Sequence, residues 1–190
     1  MEPKGLFEPI TITLPDWVAG IVDPEASYAD DLARMRLAVA LSDANIERAT
    51  GGPFGAVVFN AETGRVVGVG VNMVVPARNA VLHAEIVAFM TAQQRIDSYT
   101  LANGPHELYT SCEPCAMCLG ATLWSGVRRV VWAATRDDAS RVAFDEGPVF
   151  AASHEYLRAR GIRLEQGPLR AEARAILERY GTSGGAIYNA

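Results

Sequence analysis

Apolar positions along the chain recur at two spacings, and the switches between them outline the fold. Over residues 28–48, Leu32, Met35, Val39, Leu41 and Ile46 return at roughly helical intervals with alanines between them, which predicts a helix ended by Gly51-Gly52-Pro53. Residues 54–59 and 65–71 are mostly apolar and predict two strands joined by a hairpin turn at Glu62-Thr63-Gly64. The stretch 72–80 is polar, contains Pro76 and reads as a loop. A helix is expected over 83–94, with Ile86, Val87, Phe89 and Met90 as its apolar positions. Asn103-Gly104-Pro105 then breaks the chain before a strand at 107–110. The helix that follows opens with Pro114 at its first position, where a missing N–H costs nothing, and runs to Trp124. Residues 127–134 are nearly all apolar, as suits a strand covered on both faces. A short helix at 136–143, a loop at 144–148, a helix at 151–160, a strand at 162–165 and a helix at 168–180 complete the body. This order implies an α/β sandwich with a central mixed sheet.

The two ends differ from the body. Residues 1–27 carry Pro3, Pro9, Pro15 and Pro24 among Leu6, Phe7, Ile10, Ile12 and Trp17, so an extended arm lying on the domain is expected. The tail, 181–190, is rich in glycine, which favours mobility, yet Ile187 and Tyr188 would be wasted on a segment that touches nothing. With 190 residues, 49% of them hydrophobic and 21% charged, a single globular domain spanning 1–190 is expected, arm and tail included. A net charge of −5 argues against a nucleic-acid partner, which wants a basic surface. No charged segment followed by an apolar one opens the chain, and no apolar run approaches the ~18 residues of a membrane span. A cytoplasmic protein with no membrane partner is therefore expected.

The three cysteines change that plain picture. Cys112, Cys115 and Cys118 fall within seven residues, a poor disulfide framework and a plausible zinc arrangement in a reducing compartment. Cys115 and Cys118 lie three apart at the start of a helix, where its positive end favours thiolates. His83, at the start of another helix, is the candidate third ligand, and Glu85 follows it by two. Residues two apart share a target only if that helix begins at the metal. One histidine and two thiolates leave the fourth corner of a tetrahedral zinc to water, whose pKa the metal lowers, and Glu85 stands ready as general base. Zinc of purely structural use would need a fourth protein ligand. Cys112 is the available one, but it precedes the helix and reads as a buried bystander. His-x-Glu followed by Pro-Cys-x-x-Cys is a signature of zinc deaminases.

On these residues the sequence resembles the cytidine-deaminase-like superfamily, and within it the bacterial guanine deaminases. The resemblance runs from Gly52-Pro53-Phe54-Gly55-Ala56-Val57 through Asn72, His83-Ala84-Glu85 and Tyr109 to Trp124, and on to Phe144-Asp145-Glu146. It implies a three-layer α/β/α sandwich around a five-stranded mixed sheet, a homodimer, one zinc per subunit, and release of ammonia from a purine base. By position, His83, Cys115 and Cys118 would hold zinc and Glu85 would shuttle protons. Asn72 and the Ala84 backbone N–H would bind the base, and Phe54, Trp124 and Phe144 would pack around it. Glu146 would contact the base near the departing amine, which points to guanine, and Tyr188 would cap the pocket. Against this stand a solvated turn at Asp145-Glu146-Gly147 and another amino-heterocycle as substrate: guanosine, cytosine, adenine, an amino-triazine or a pterin. An RNA-editing adenosine deaminase shares the zinc motifs but wants a basic groove, and Arg128-Arg129 is the sole basic pair of note.

Overall fold

The computed structural model describes residues 7–189. Strands β1 (Gly55–Asn60) and β2 (Val66–Val71) form the expected hairpin, with Gly64 at φ 68° in the turn, a conformation that side-chain-bearing residues adopt at a cost. β1 also pairs antiparallel with β3 (His106–Cys112), while β3, β4 (Arg129–Ala134) and β5 (Arg163–Gln166) run parallel, giving a mixed sheet in the order β2-β1-β3-β4-β5. Every residue of the central strand β3 is buried.

Side chains alternate between two cores, as the two-residue period of a strand requires. Val57, Phe59, Tyr109 and Val131 face one core, covered by α1 (Asp31–Glu47) and α7 (Arg170–Thr182). Ala56, Val58, Leu108, Val130 and Trp132 face the other, covered by α3 (Ala84–Arg95), α4 (Ala116–Ser125) and α6 (Ala151–Ala159). The result is the expected three-layer sandwich. No helix among the described residues is long and apolar enough to cross a membrane.

Several boundaries move for local reasons. α1 starts at Asp31 rather than 28, because Asp30 caps it by accepting the Ala33 N–H at 2.8 Å. The polar loop at 72–80 contains a single helical turn, α2 (Val74–Ala77). The cysteine helix begins at Ala116, so Pro114 lies before its cap rather than at its first position. The short helix is trimmed to α5 (Arg136–Ser140), held by a reciprocal Thr135–Asp138 capping box. The last helix starts at Arg170, since Leu169 has φ 67°. The arm is not simply extended. Asp16–Gly20 makes a 3₁₀ turn, and Ile12, Leu14 and Trp17 pack on the α1-side core while Phe7 and Ile10 stay exposed. Residues 1–6, with Leu6 and Pro3, and Ala190 lie outside the described residues.

Candidate active site

The carboxyl ends of β3 and β4 meet the amino ends of α3 and α4, where crevices in α/β sheets form. His83 is the N-cap of α3 and Cys115 the N-cap of α4, both in extended backbone conformation. Neither side chain is spent on capping its own helix, so both are free to turn into the crevice. Cys118 enters from the first turn of α4. One ligand atom from each of His83, Cys115 and Cys118 lies within 4.8 Å of the others, and Cys115 Sγ is 3.5 Å from His83 Nδ1. Tetrahedral zinc with ordinary bond lengths would separate such a sulfur and nitrogen by about 3.6 Å, so the donor set fits the ion. Cys112 is outside the triad. Its Sγ lies 3.6 Å from the Thr135 carbonyl, and burial pushes its thiol up.

The electrostatics show what the cluster lacks. Cys118 donates to Cys115 and, with help from His83, brings the Cys115 thiol down to about 4, against the cost of burial. Cys118 is raised by that same bond and by burial. Burial alone would lower His83, but the Cys115 hydrogen bond and the charges of Glu85, Cys115 and Glu146 raise it. Burial, then the Cys115 charge, pushes Glu85 up to about 7. Burial, then Cys115 and Glu85, pushes Glu146 up to about 8, with His83 and Arg136 pulling the other way. Four acidic groups therefore crowd a space that tolerates few negative charges, which is the imbalance a divalent cation relieves.

Phe54, Asn72, His83, Glu85, Cys112, Glu113, Cys115, Glu146, Tyr188 and Asn189 line a cavity with about 290 Å³ of empty space. A larger hollow, about 1090 Å³ of empty space by the same measure, between Ile46, Val75 and Tyr180, is mainly apolar and carries none of this chemistry. Asn72 is fully buried with its Nδ2 unpaired, so the cavity holds one waiting donor. Ala84, the first residue of α3, presents one of the N–H groups that a helix start leaves without an internal partner. Phe54 and Phe144 pack edge to face at 5.0 Å, and Phe144 touches Tyr188 at 5.2 Å. The tail thus folds onto the site, and Tyr188 also approaches the His83 ring at 6.0 Å. Asp145 and Asn189 hold it there: the Asp145 N–H donates to the Asn189 carbonyl at 3.0 Å, and Asn189 Nδ2 donates back to the Asp145 carbonyl at 2.6 Å.

Of the residues singled out from the sequence, Phe54, Asn72, His83, Glu85, Cys115, Glu146 and Tyr188 line the cavity, while Cys118 completes the triad, Phe144 packs on Phe54 and Tyr188, and Ala84 opens α3. Trp124 is 79% exposed near the end of α4 and does not line this cavity, a correction to its expected place around the base. Two lining residues were missed. Glu113 sits inside the cysteine segment itself, between Cys112 and Pro114, where its carboxylate pairs with Arg136 at 3.0 Å. Asn189 had no signal beyond lying next to Tyr188.

Comparison with known proteins agrees with this geometry. Residues 29–134 match the family described as the cytidine and deoxycytidylate deaminase zinc-binding region. The guanine deaminase of Bacillus subtilis is 36% identical over 116 residues, which is 61% of this chain and 72% of that protein. The solved guanine deaminase from Nitrosomonas europaea superposes with a TM-score of 0.88 at 40% identity, over 94% of this chain and all (100%) of that one. The structure of NE0047 in complex with 2,6-diaminopurine gives a TM-score of 0.88 at 42% identity, over 94% of this chain and 96% of that one.

Proposed function

Because the chain belongs to the cytidine and deoxycytidylate deaminase zinc-binding family, we propose that it is a guanine deaminase, hydrolysing guanine to xanthine and ammonia. The observation that carries this reading is one cavity that brings together a zinc-fitted triad, Glu85 beside it, an unpaired Asn72 donor and the half-buried Glu146 carboxyl. His83, Cys115 and Cys118 would hold zinc, which supplies Lewis-acid activation of water at neutral pH. As the water oxygen adds to C2 of the purine, Glu85 takes one of its protons and delivers it to N3, and a second proton, carried by Glu85 or Glu146, reaches the exocyclic amine so that the C2–N bond breaks and ammonia leaves. Asn72 Nδ2 and the Ala84 N–H bind acceptors on the base. The Glu146 carboxylate accepts from guanine N–H groups near C2, where the amine leaves, and a buried carboxylate is a strong partner for them. Phe54 and Phe144 flank the ring, and Tyr188 closes over it to exclude water.

The net charge of −5 also weighs against a polynucleotide substrate, which wants a basic surface. The test is ammonia release by the zinc-loaded protein from guanine, guanosine, cytosine, adenine and amino-triazines. Guanine should turn over and lose its turnover on chelation; activity on the nucleoside but not the base would defeat the assignment.

The same proposal includes a cytoplasmic homodimer. Trp124, Phe150 and Tyr156 are 79%, 65% and 51% exposed. They lie on or beside α4 and α6, which border an apolar hollow, and large exposed apolar side chains in one region mark contact surfaces. Light scattering on the protein and on Trp124→Glu reads the stoichiometry directly.

A further inference from the structure

The N-terminal arm takes no part in the chemistry above, yet it ends a hydrogen-bonded chain that leads to the base pocket. Trp17, in the 3₁₀ turn, donates its indole N–H to Thr50 Oγ1 at 3.0 Å, with the Arg48 guanidinium 5.4 Å over its ring. The Thr50 hydroxyl donates to Asn45 Oδ1 at 2.8 Å. Asn45 is fully buried in α1 and donates from Nδ2 to two carbonyls, those of Gly52 at 2.8 Å and Asn72 at 2.9 Å. Gly52 and Val74 then donate their N–H groups to Asn72 Oδ1 at 3.4 and 3.3 Å. The Asn72 N–H is held by the Phe54 carbonyl at 3.0 Å. Asn72 is therefore gripped at its N–H, its carbonyl and its Oδ1, and its Nδ2 alone is left over, buried and lining the cavity.

The fit at Asn45 is specific to an amide. Both Nδ2 hydrogens and Oδ1 are used, so aspartate would set an oxygen against two carbonyl oxygens, and alanine would leave the Asn72 carbonyl buried without a donor, while the Gly52 carbonyl keeps the Phe54 N–H at 2.8 Å. The approach is also close: a Cβ on Gly51 would lie 1.9 Å from the Asn72 carbonyl oxygen and 2.6 Å from Asn45 Nδ2. Glycine at this place lets α1 reach the strand end that carries Asn72.

We propose that Asn45 is a positioning residue for base recognition, acting through Asn72, and that Thr50 and Trp17 extend this support to the arm. The inference rests on the reading of Asn72 as the donor to the base. Its test is a double-mutant cycle on the zinc-loaded protein with Asn45→Ala, Asn72→Ala and both together, reading zinc content, kcat and KM for guanine. Asn45→Ala should keep zinc, raise KM by ~10-fold or more and change kcat by less than ~3-fold, the pattern of lost substrate binding. In the Asn72→Ala background the same change should add less than ~2-fold, since its route to the base is gone. Equal factors in both backgrounds, or zinc and kcat lost together, would overturn the proposal while leaving Asn72 its role. A normal KM in Asn72→Ala would bring down the reading of Asn72, and this inference with it. Should Asn45→Ala fail to fold, Thr50→Val removes one hydroxyl at nearly constant shape. It should raise KM by ~3-fold in the wild-type background alone, and an unchanged KM there overturns the proposal.

Discussion

Replacing Glu146 by glutamine keeps the shape of the side chain and removes the charge, so it isolates what the carboxylate contributes to guanine turnover. Each hydrogen bond to a charged group is worth about 1 kcal/mol more than one to a neutral amide, so two guanine N–H groups on Glu146 give about 2 kcal/mol, or ~30-fold in kcat/KM. The structure subtracts from this figure. Burial, with Cys115 and Glu85 nearby, holds the Glu146 carboxyl at about 8, so at pH 7 it must first be ionised. Without a cation that costs about 1.4 kcal/mol and leaves a net advantage of roughly 3-fold at pH 7; zinc beside Cys115 lowers this cost, so the zinc-loaded ratio at pH 7 lies between ~3-fold and ~30-fold. The sign follows directly. As pH rises through the Glu146 pKa, the wild type gains capture of guanine and Glu146→Gln does not. The wild-type to variant ratio of kcat/KM should therefore climb with pH and level off near ~30-fold. A bound cation moves the rise to lower pH without reversing it. The assay is ammonia release from guanine between pH 6 and 9 for both proteins at matched zinc content. A ratio within twofold of unity at every pH would make the 145–147 segment only a turn. A ratio that falls with pH would mean that Glu146 acts as a proton donor instead.

Glu85→Gln should bind zinc stoichiometrically and lose kcat by at least ~100-fold, and near-normal turnover would remove its role as proton shuttle. Tyr188→Ala opens the roof of the cavity. Steady-state kinetics should show KM for guanine up by ~10-fold through lost aromatic contact, and an unchanged KM would place the tail outside the binding step. Asp138→Ala removes the buried capping-box partner of Thr135 at the start of α5, which should cost about 2 kcal/mol in urea unfolding at pH 7. The Arg170 guanidinium beside Asp138 holds that carboxyl well below the usual range, so the stability is present above pH ~4 and fades as the pH falls through the folded-state value. Unfolding curves that stay equally far apart at pH 7 and pH 3 would contradict this.

The metal triad was legible because its signal is local. Cys115 and Cys118 are neighbours on one helical turn, and His83 and Glu85 converge if α3 begins at the ligand cluster, which it does, one residue after His83. The sheet was legible for the same reason, since 54–59, 65–71 and 127–134 announce buried strands by composition alone, and each moved by no more than two residues. What the sequence hid is whatever depends on a partner far along the chain. Asn189 reaches the site because it pairs with Asp145, forty-four positions away, and Asn45 matters because α1 crosses behind Asn72. Neither relation leaves a periodic trace.

Trp124 is a different kind of miss, because helix geometry alone could have excluded it. Six residues separate it from Cys118, which at about 100° per residue turns it about 240° around the axis, away from the metal. Cys118 and Leu119 are buried on the inner side of α4, so a side chain that far round must point outward, and it does. Its place in the resemblance therefore needs another cause than contact with its own base. An indole 79% exposed on the outer face of α4 has little physical reason to stay there unless another surface covers it. If a second copy of the chain does so, α4 serves two ends at once, its amino terminus holding the metal and its outer face holding the partner. Trp124→Glu would then separate the two, breaking the dimer while leaving the zinc ligands in place.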